Sequence, residues 1–165
     1  PTSFRGISRL NAEKVWLEYF KNYKIPLQIF RLAGIYSNEN NALQRLKLGT
    51  QNIIEKKNHY FSRIHVEDIA EILFASLQKF SSGEIFNISD DYPSSNAELV
   101  KYAASLINMQ IPKSISVDQI ESKMLKDFYK DSKRVKNQKM KNFFGHNLKY
   151  PTFKEGLKFI KNHMI

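Results

Sequence analysis

The chain has no cysteine. Disulfide frameworks, thiolate metal centres and cysteine nucleophiles are thereby excluded, and the composition suits a reducing cytoplasm. Long apolar runs are missing too. No stretch approaches the roughly 20 residues that span a bilayer, and the first residues lack the charged-then-apolar order of a signal peptide. A cytoplasmic protein with no membrane contact is expected. Glycine is sparse, with six residues, and nowhere do they cluster into a loop that lets a backbone approach a nucleotide pyrophosphate. No serine occupies a strand-to-helix nucleophile elbow and no Ser/His/Asp set follows from spacing, so hydrolase chemistry has no support. A starting methionine is also absent: the chain begins at Pro1, enters a helical pattern within a few residues, and is read as a piece of a longer protein.

What is present suffices for one domain, residues 1–165, with a buried core: 42% of residues are hydrophobic, including 12 Phe and 8 Tyr. The formal charge of +10 is uneven. Residues 1–108 carry 13 Lys/Arg against 11 Asp/Glu, an excess of 2, and residues 109–165 carry 13 against 5, an excess of 8. A basic region of this size attracts anionic partners. Lysines nevertheless outnumber arginines, fall mostly on expected helix surfaces and are not interleaved with aromatics as on a stacking platform. Nucleic acid is therefore disfavoured as a partner. The alternative function is a non-catalytic module that holds an acidic partner or nucleic acid through residues 123–161.

Leu10, Val15, Trp16, Tyr19, Phe20 and Tyr23 recur at helical spacing and predict an amphipathic helix over 8–23, closed by Pro26. Leu27 to Ala33 is apolar enough for a buried parallel strand, ending at Gly34 where the backbone is free to turn. After a polar loop over 37–41, a short helix over 42–48 stops at Gly49. Ile53–Ile54 and Phe61–His65 are strand candidates on either side of the charged turn 55–58. A helix runs from Val66 to Lys79, with Glu67 and Asp68 opposing its positive end, and Gly83 ends that segment. Glu84–Ile88 is a further buried strand. Ser95 and Glu98 form a capping box for a helix lined by Leu99, Tyr102, Ala103, Leu106 and Ile107. Residues 109–116 read as a connection, 117–129 as a helix, and 137–144 as another, stopped by Gly145. Thr152 and Glu155 form a second capping box at the last helix. Strands alternating with helices argue for an α/β class with parallel pairing. Three or four short strands among five or six helices leave a sheet edge that another chain or an upstream segment continues.

The stretch Phe61-Ser62-Arg63-Ile64-His65-Val66-Glu67-Asp68-Ile69-Ala70 follows Arg31-Leu32-Ala33-Gly34-Ile35-Tyr36-Ser37 and precedes Ile85-Phe86-Asn87-Ile88-Ser89-Asp90-Asp91. Together these segments resemble the C-terminal half of NAD-dependent epimerase/dehydratase proteins, the extended or atypical short-chain dehydrogenases. The resemblance runs from Arg5 to Glu155-Gly156-Leu157. It implies the C-terminal part of a Rossmann-like NAD(P)-binding fold plus the small substrate-binding lobe, with 1–35 and 61–90 on the nucleotide-binding side and 36–60 and 91–165 in the lobe. It also implies a parental oxidoreductase or epimerase that uses NAD or NADP for hydride transfer on a small-molecule substrate, hydroxy, carbonyl or sugar-like.

Two departures from that family matter. The Gly-rich loop has no counterpart, and the positions of the Tyr-x-x-x-Lys pair hold Arg5 and Arg9, followed by Glu13 where the family helix often has an acid. Arginine keeps its proton near neutrality and does not replace a phenolate. The chain alone is therefore expected to be catalytically inactive and to hold no cofactor. Arg5 and Arg9 read either as contacts to a phosphate or carboxylate or as solvated helix-start residues. By the same resemblance Ala33, Gly34 and Ile35 lie beside the nicotinamide, and Asn41 and Arg45 lie on the substrate side. Phe61 stands where nucleotide-sugar epimerases place a diphosphate-binding arginine, which disfavours a UDP-sugar; Arg63, Arg45, Lys133 and Arg134 are candidates for a differently placed anion clamp. The plainer readings are an ordinary strand exit at Gly34 and a surface charge at Arg45.

His59, His65, Glu67 and Asp68 are metal-ligand types without ligand spacing, so no metal site is expected, and His65 reads as hydrogen-bonded structure. Asp90-Asp91 reads as a strand-to-turn junction, because neighbours on a strand point to opposite faces. The stripe of Trp16, Tyr19, Phe20 and Tyr23 is expected in the core. Part of it is expected to meet a second subunit, since this helix often packs in the dimer interface of extended short-chain dehydrogenases.

Overall fold

Ser3 opens the first helix by accepting a hydrogen bond from Gly6 N at 3.2 Å, and α1 (Phe4–Tyr23) ends at Lys24, whose left-handed φ of 54° breaks the spiral. The structure is a computed structural model and describes residues 2–164. After α1 come β1 (Gln28–Leu32), β2 (Gly34–Tyr36), α2 (Ala42–Lys47), β3 (Ile53–Glu55), β4 (Arg63–His65), α3 (Val66–Gln78) and β5 (Glu84–Ile88). The chain continues through α4 (Asn96–Leu106), β6 (Ser114–Ser116), a 3₁₀ turn (Val117–Gln119), α5 (Lys123–Phe128), α6 (Gln138–Phe144) and α7 (Phe153–His163). Among the described residues no helix is long and apolar enough to cross a membrane.

The α/β class with parallel pairing holds. Strands form three two-stranded parallel pairs: β1 with β5 from Gln28↔Glu84 to Leu32↔Ile88, β2 with β4 from Gly34↔Arg63 to Tyr36↔His65, and β3 with β6 from Ile53↔Ser114 to Glu55↔Ser116. The expected single incomplete sheet is instead three short ladders, with the far edge of β4 tied by Asp90 N to Arg63 O. One buried cluster joins α2, β3, α4 and α7 through Leu43, Ile53, Val100, Phe153, Leu157 and Ile160. Another gathers Ile64, Ile72, Phe86, Ile88 and Met140 around β4, β5, α3 and α6. The rings of Phe143 and Phe144 lie 5.0 and 4.9 Å from Phe86, so α6, placed in the lobe by the sequence division, packs on β5.

Several local expectations are corrected. α1 starts earlier than residue 8 and buries no side chain; Trp16 is 55% exposed, with Tyr19 and Tyr23 exposed beside it. Helical spacing identifies an apolar face but not its partner. Of the stripe, only Phe20 turns inward, over Gly83, where a Cβ would come within 2.7 Å of its ring. Gly83 also has a φ of +84°, so it serves the turn before β5 while α3 itself is capped at Lys79. The expected helix over 117–129 is broken: Ile120 leaves the helical path to enter the cluster with Ile54 and Tyr129, and Ser122 then caps α5. β6 was hidden in the connection because Ser-Ile-Ser becomes a strand only beside β3. Phe61 makes a single antiparallel bridge to Ser94 instead of extending β4. Ser95 caps Glu98 N, but the Glu98 carboxylate turns to Tyr92 Oη at 2.9 Å, so that capping box is half made; the box of Thr152 and Glu155 is complete.

Candidate functional site

The chain steps from one ladder to the next at the carboxyl end of β1. Ala33 N donates to Ile88 O at 2.9 Å, and Gly34 N donates to Ser62 O at 3.1 Å. Gly34 has no left-handed φ, and a Cβ there would press to 3.3 Å from the Ser62 carbonyl. The residue is glycine for close approach, not for the free strand exit expected of it. Leu32 and Ile35 leave their side chains exposed on either side, giving a bare apolar ledge with Ala33 and Gly34.

Beneath the ledge lies a buried polar centre. Tyr36 and His65 are partners across β2 and β4, their rings edge to face at 5.0 Å. His65 caps α3 by accepting from Glu67 N at 3.3 Å through Nδ1, which bears out its structural reading, and burial holds it below the usual imidazole range. Its Nε2 has no partner among the described residues, nor has Tyr36 Oη. Burial, followed by the charge of Asp90, pushes the Tyr36 phenol above its ordinary value. Arg63 is buried, donating to Ser94 Oγ at 2.6 Å and to Phe61 O at 3.2 Å, with its guanidinium 5.9 and 5.7 Å from the rings of Phe61 and Phe153. Burial lowers its pKa, yet an arginine remains a cation. Asp90, 1% exposed, is tied by its N–H to Arg63 O at 2.6 Å and accepts from Tyr92 N at 3.3 Å through Oδ1; its Oδ2 has no partner among the described residues. Burial pushes its carboxyl up to about 7, with Arg63 opposing. The strand-to-turn reading of Asp90 gave no warning of this, because its burial is created by β4, far away in sequence.

The remaining candidates separate into groups. Arg5 and Arg9 lie exposed on α1. Asn41 is buried and consumed by structure: Nδ2 donates to Ser37 O and Asn38 O at 3.0 and 2.9 Å, and Oδ1 accepts from Gln44 N at 3.0 Å as the cap of α2. Arg45, one turn on, donates to Gln51 Oε1 at 2.8 Å and Asn40 Oδ1 at 2.9 Å. Segments 60–62 and 133–135 are laced by Lys133 N to Tyr60 O and Val135 N to Ser62 Oγ, both 2.9 Å. Arg134 lies exposed over the Tyr60 ring at 4.3 Å on this seam, and Arg63 lies just beyond it. Arg63 and Arg134 therefore share one region, whereas Asn41 and Arg45 share another on α2.

Residue chemistry missed in the sequence comes from distant pairs. Asp68 accepts from Lys149 N at 2.6 Å and Tyr150 N at 3.1 Å, pinning the loop before α7 to α3. One ligand atom each of Asp68, Glu71 and His146 lies within 4.8 Å of the others. The two Asp68 oxygens already serve the amides, so that carboxylate is accounted for as a tether. His59 is 4% exposed, stacks on Tyr129 at 5.1 Å and 21°, and lines a recess of about 330 Å³ with the start of α4.

No family model matches the chain. Over 121 residues it is 26% identical to a dTDP-D-glucose 4,6-dehydratase of Dictyostelium discoideum, covering 67% of this chain and 27% of that protein. A functionally unknown conserved protein from Silicibacter pomeroyi DSS is 37% identical, with a TM-score of 0.91 over 98% of this chain and 57% of its own. A dTDP-glucose 4,6-dehydratase from Bacillus anthracis str. Ames, solved in complex with NAD, is 21% identical, with a TM-score of 0.79 over 98% of this chain and 52% of its own. The chain thus spans about half the length of these solved structures and 27% of the Dictyostelium protein.

Proposed function

We propose that this chain, a partial form of the NAD-dependent epimerase/dehydratase fold, is the substrate-binding lobe and last strand pair of an NAD(P)-dependent oxidoreductase or epimerase. The observation that carries the reading is the bare ledge Leu32 to Ile35 at the carboxyl end of β1, since open α/β sheets take ligands outside the carboxyl ends of their strands. Ala33, Gly34 and Ile35 face the nicotinamide in this reading, and bound NAD(P) supplies hydride transfer on a small hydroxy, carbonyl or sugar-like substrate. Arg134 offers an exposed cation on the substrate side, and Arg63 holds the segment from which Tyr60 supports it. Arg5 and Arg9 bring charge but no phenolic proton.

The residues present do not fit the whole dinucleotide. They supply an apolar ledge without a glycine loop to seat a pyrophosphate, so the isolated chain is proposed to be inactive and no catalytic step is assigned to it. The alternative of a basic binding module has less free charge than composition implied, because Lys130, Lys139, Lys141, Lys149 and Lys154 each meet a carboxylate.

Thermal unfolding with millimolar NAD(H) or NADP(H) tests the reading, since a ligand that binds only the folded state raises its stability. The chain alone should show no shift. Joined to the upstream portion of the Silicibacter pomeroyi protein, it should show one. A shift in the isolated chain overturns its inactivity toward cofactor, and a folded joined form that ignores both nucleotides overturns the oxidoreductase reading.

A further inference from the structure

Asp68 and Glu71 stand three residues apart on one face of α3, and His146 reaches them from the position after Gly145, the cap of α6. The amide bonds that tether Asp68 use one lone pair on each oxygen and leave as many free. They also fix the direction of a fully buried carboxylate. Glu71 and His146 take no part in the tether, and three observations give them a purpose. First, one oxygen of each carboxylate and one ring nitrogen of His146 lie within 4.8 Å of one another, although His146 is far from α3 in sequence. Second, His146 Nε2 is buried without a hydrogen-bond partner among the described residues; Glu71 Oε2 stands 3.6 Å away, beyond hydrogen-bond reach. Third, His146 is fixed from both sides, by Phe144 packed at 4.9 Å on Phe86 and by Lys149 N bonded to Asp68. Among the described residues no lysine or arginine side chain pairs with either carboxylate, and Lys149 in the same loop is taken by Glu67 at 2.7 Å.

We infer that Asp68, Glu71 and His146 bind one divalent transition-metal ion of the zinc class, which clips the loop after α6 to α3. An imidazole and two carboxylates are ligands that Zn²⁺ takes at about 2.0–2.2 Å, and the two negative charges neutralise the ion. Mg²⁺ and Ca²⁺ prefer oxygen alone and gain nothing from His146. Asp68 arrives already oriented by its amide bonds, as the hydrogen-bonded carboxylates of metal sites do. Glu71 is exposed, so its side chain is free to swing the last distance inward. Glu71 and His146 also line a recess of about 500 Å³ with Ala70, Phe74 and Gln78. That recess is the entry path and leaves the fourth position of the ion to water. The site goes beyond the cofactor reading: it uses no residue of the ledge and stands or falls without NAD(P).

The experiment is isothermal titration calorimetry of the 165-residue chain with zinc chloride in a non-coordinating buffer, followed in parallel by two-dimensional NMR of the histidine rings. One saturating equivalent is expected, with the His146 ring the first to shift and amide exchange over 147–152 slowed at saturation. His146→Gln and Glu71→Gln should each weaken binding at least about tenfold, the lower end of what even the outer partners of metal ligands command. If His146→Gln unfolds, Glu71→Gln on the exposed face of α3 decides instead. Heat that never saturates, or shifts centred on His59 or His163, mean an adventitious ion only and overturn the inference. So does one tight equivalent that survives both substitutions, and exchange over 147–152 that zinc leaves unchanged overturns the clip.

Discussion

Replacing Asp90 by Asn should stabilise the protein at neutral and alkaline pH and leave it nearly unchanged in acid. The folded carboxyl titrates at about 7, whereas an unfolded Asp titrates at about 3.9. The folded state therefore binds the proton more tightly, and stability falls as pH rises between these values. The contribution of protonated Asp90 is whole below about pH 4, is lost progressively up to about pH 7, and changes no further above it. Three units at about 1.4 kcal/mol each set a ceiling of about 4 kcal/mol, and relaxation around the charged form should leave roughly half. Asn preserves the acceptor for Tyr92 N and puts an amide where Oδ2 has no partner. Urea unfolding followed by far-UV circular dichroism at about pH 4 and pH 8 should show the variant about 2 kcal/mol more stable at the higher pH, or roughly 4–8 °C in Tm. The comparison must be between variant and parent, because Glu13 and Glu67, lowered by Arg31 and Lys149, tilt the parent's profile the other way. A variant that loses stability at pH 8 would refute the reasoning, for it would mean that Asp90 is ionised there and held by Arg63.

Gly156→Ala should destabilise despite a gain of about 1 kcal/mol in helix propensity, because the new Cβ would sit 2.1 Å from Tyr36 Oη and 2.7 Å from its ring. Overpacking of this kind costs about 1–3 kcal/mol, and so close an approach belongs at the upper end, so calorimetry should show a net loss of up to about 2 kcal/mol, partly recovered by adding Tyr36→Phe. A Gly156→Ala chain as stable as its parent would show that Tyr36 is not locked by its neighbours. Asp68→Asn removes the carboxylate that accepts from Lys149 N and Tyr150 N and should cost about 2 kcal/mol. Amide exchange over residues 147–152 should quicken with it; unchanged exchange there would mean that the loop is held by other means.

The sequence was most informative where structure is decided locally. Glu84–Ile88 is a strand as read, the helix before Gly145 ends where a left-handed residue is required, and the Thr152–Glu155 box is made within one turn. The parallel class also followed from local alternation. Illegible features are those that join distant segments. Ser-Ile-Ser is a strand only because Ile53–Glu55 lies beside it, and Ile120 interrupts a helical pattern because Ile54 and Tyr129 offer it a core. At the site, Gly34 and Arg63 could be singled out from wording, but the orphaned atoms of Asp90 and His59 exist only once other strands and loops bury them. Asn41 shows the converse: a polar residue in the expected place, spent on capping its own helix and closing the loop before it.

α1 is twenty residues long and has no fully buried side chain, and its moorings include the paired bonds from Arg31 to Glu13 and the Phe20 ring over Gly83. An element so attached does not share the cooperativity of the clusters around Phe86 and Phe153. Its opening free energy is expected at the low end of the molecule's range, so that it would detach as a separate foldon while the rest stays native. Added salt screens the exposed Arg31 partner and lowers that opening cost further. Heating should therefore produce two events, an early salt-dependent release of α1 and a later loss of the core, with a single melting temperature belonging only to the second.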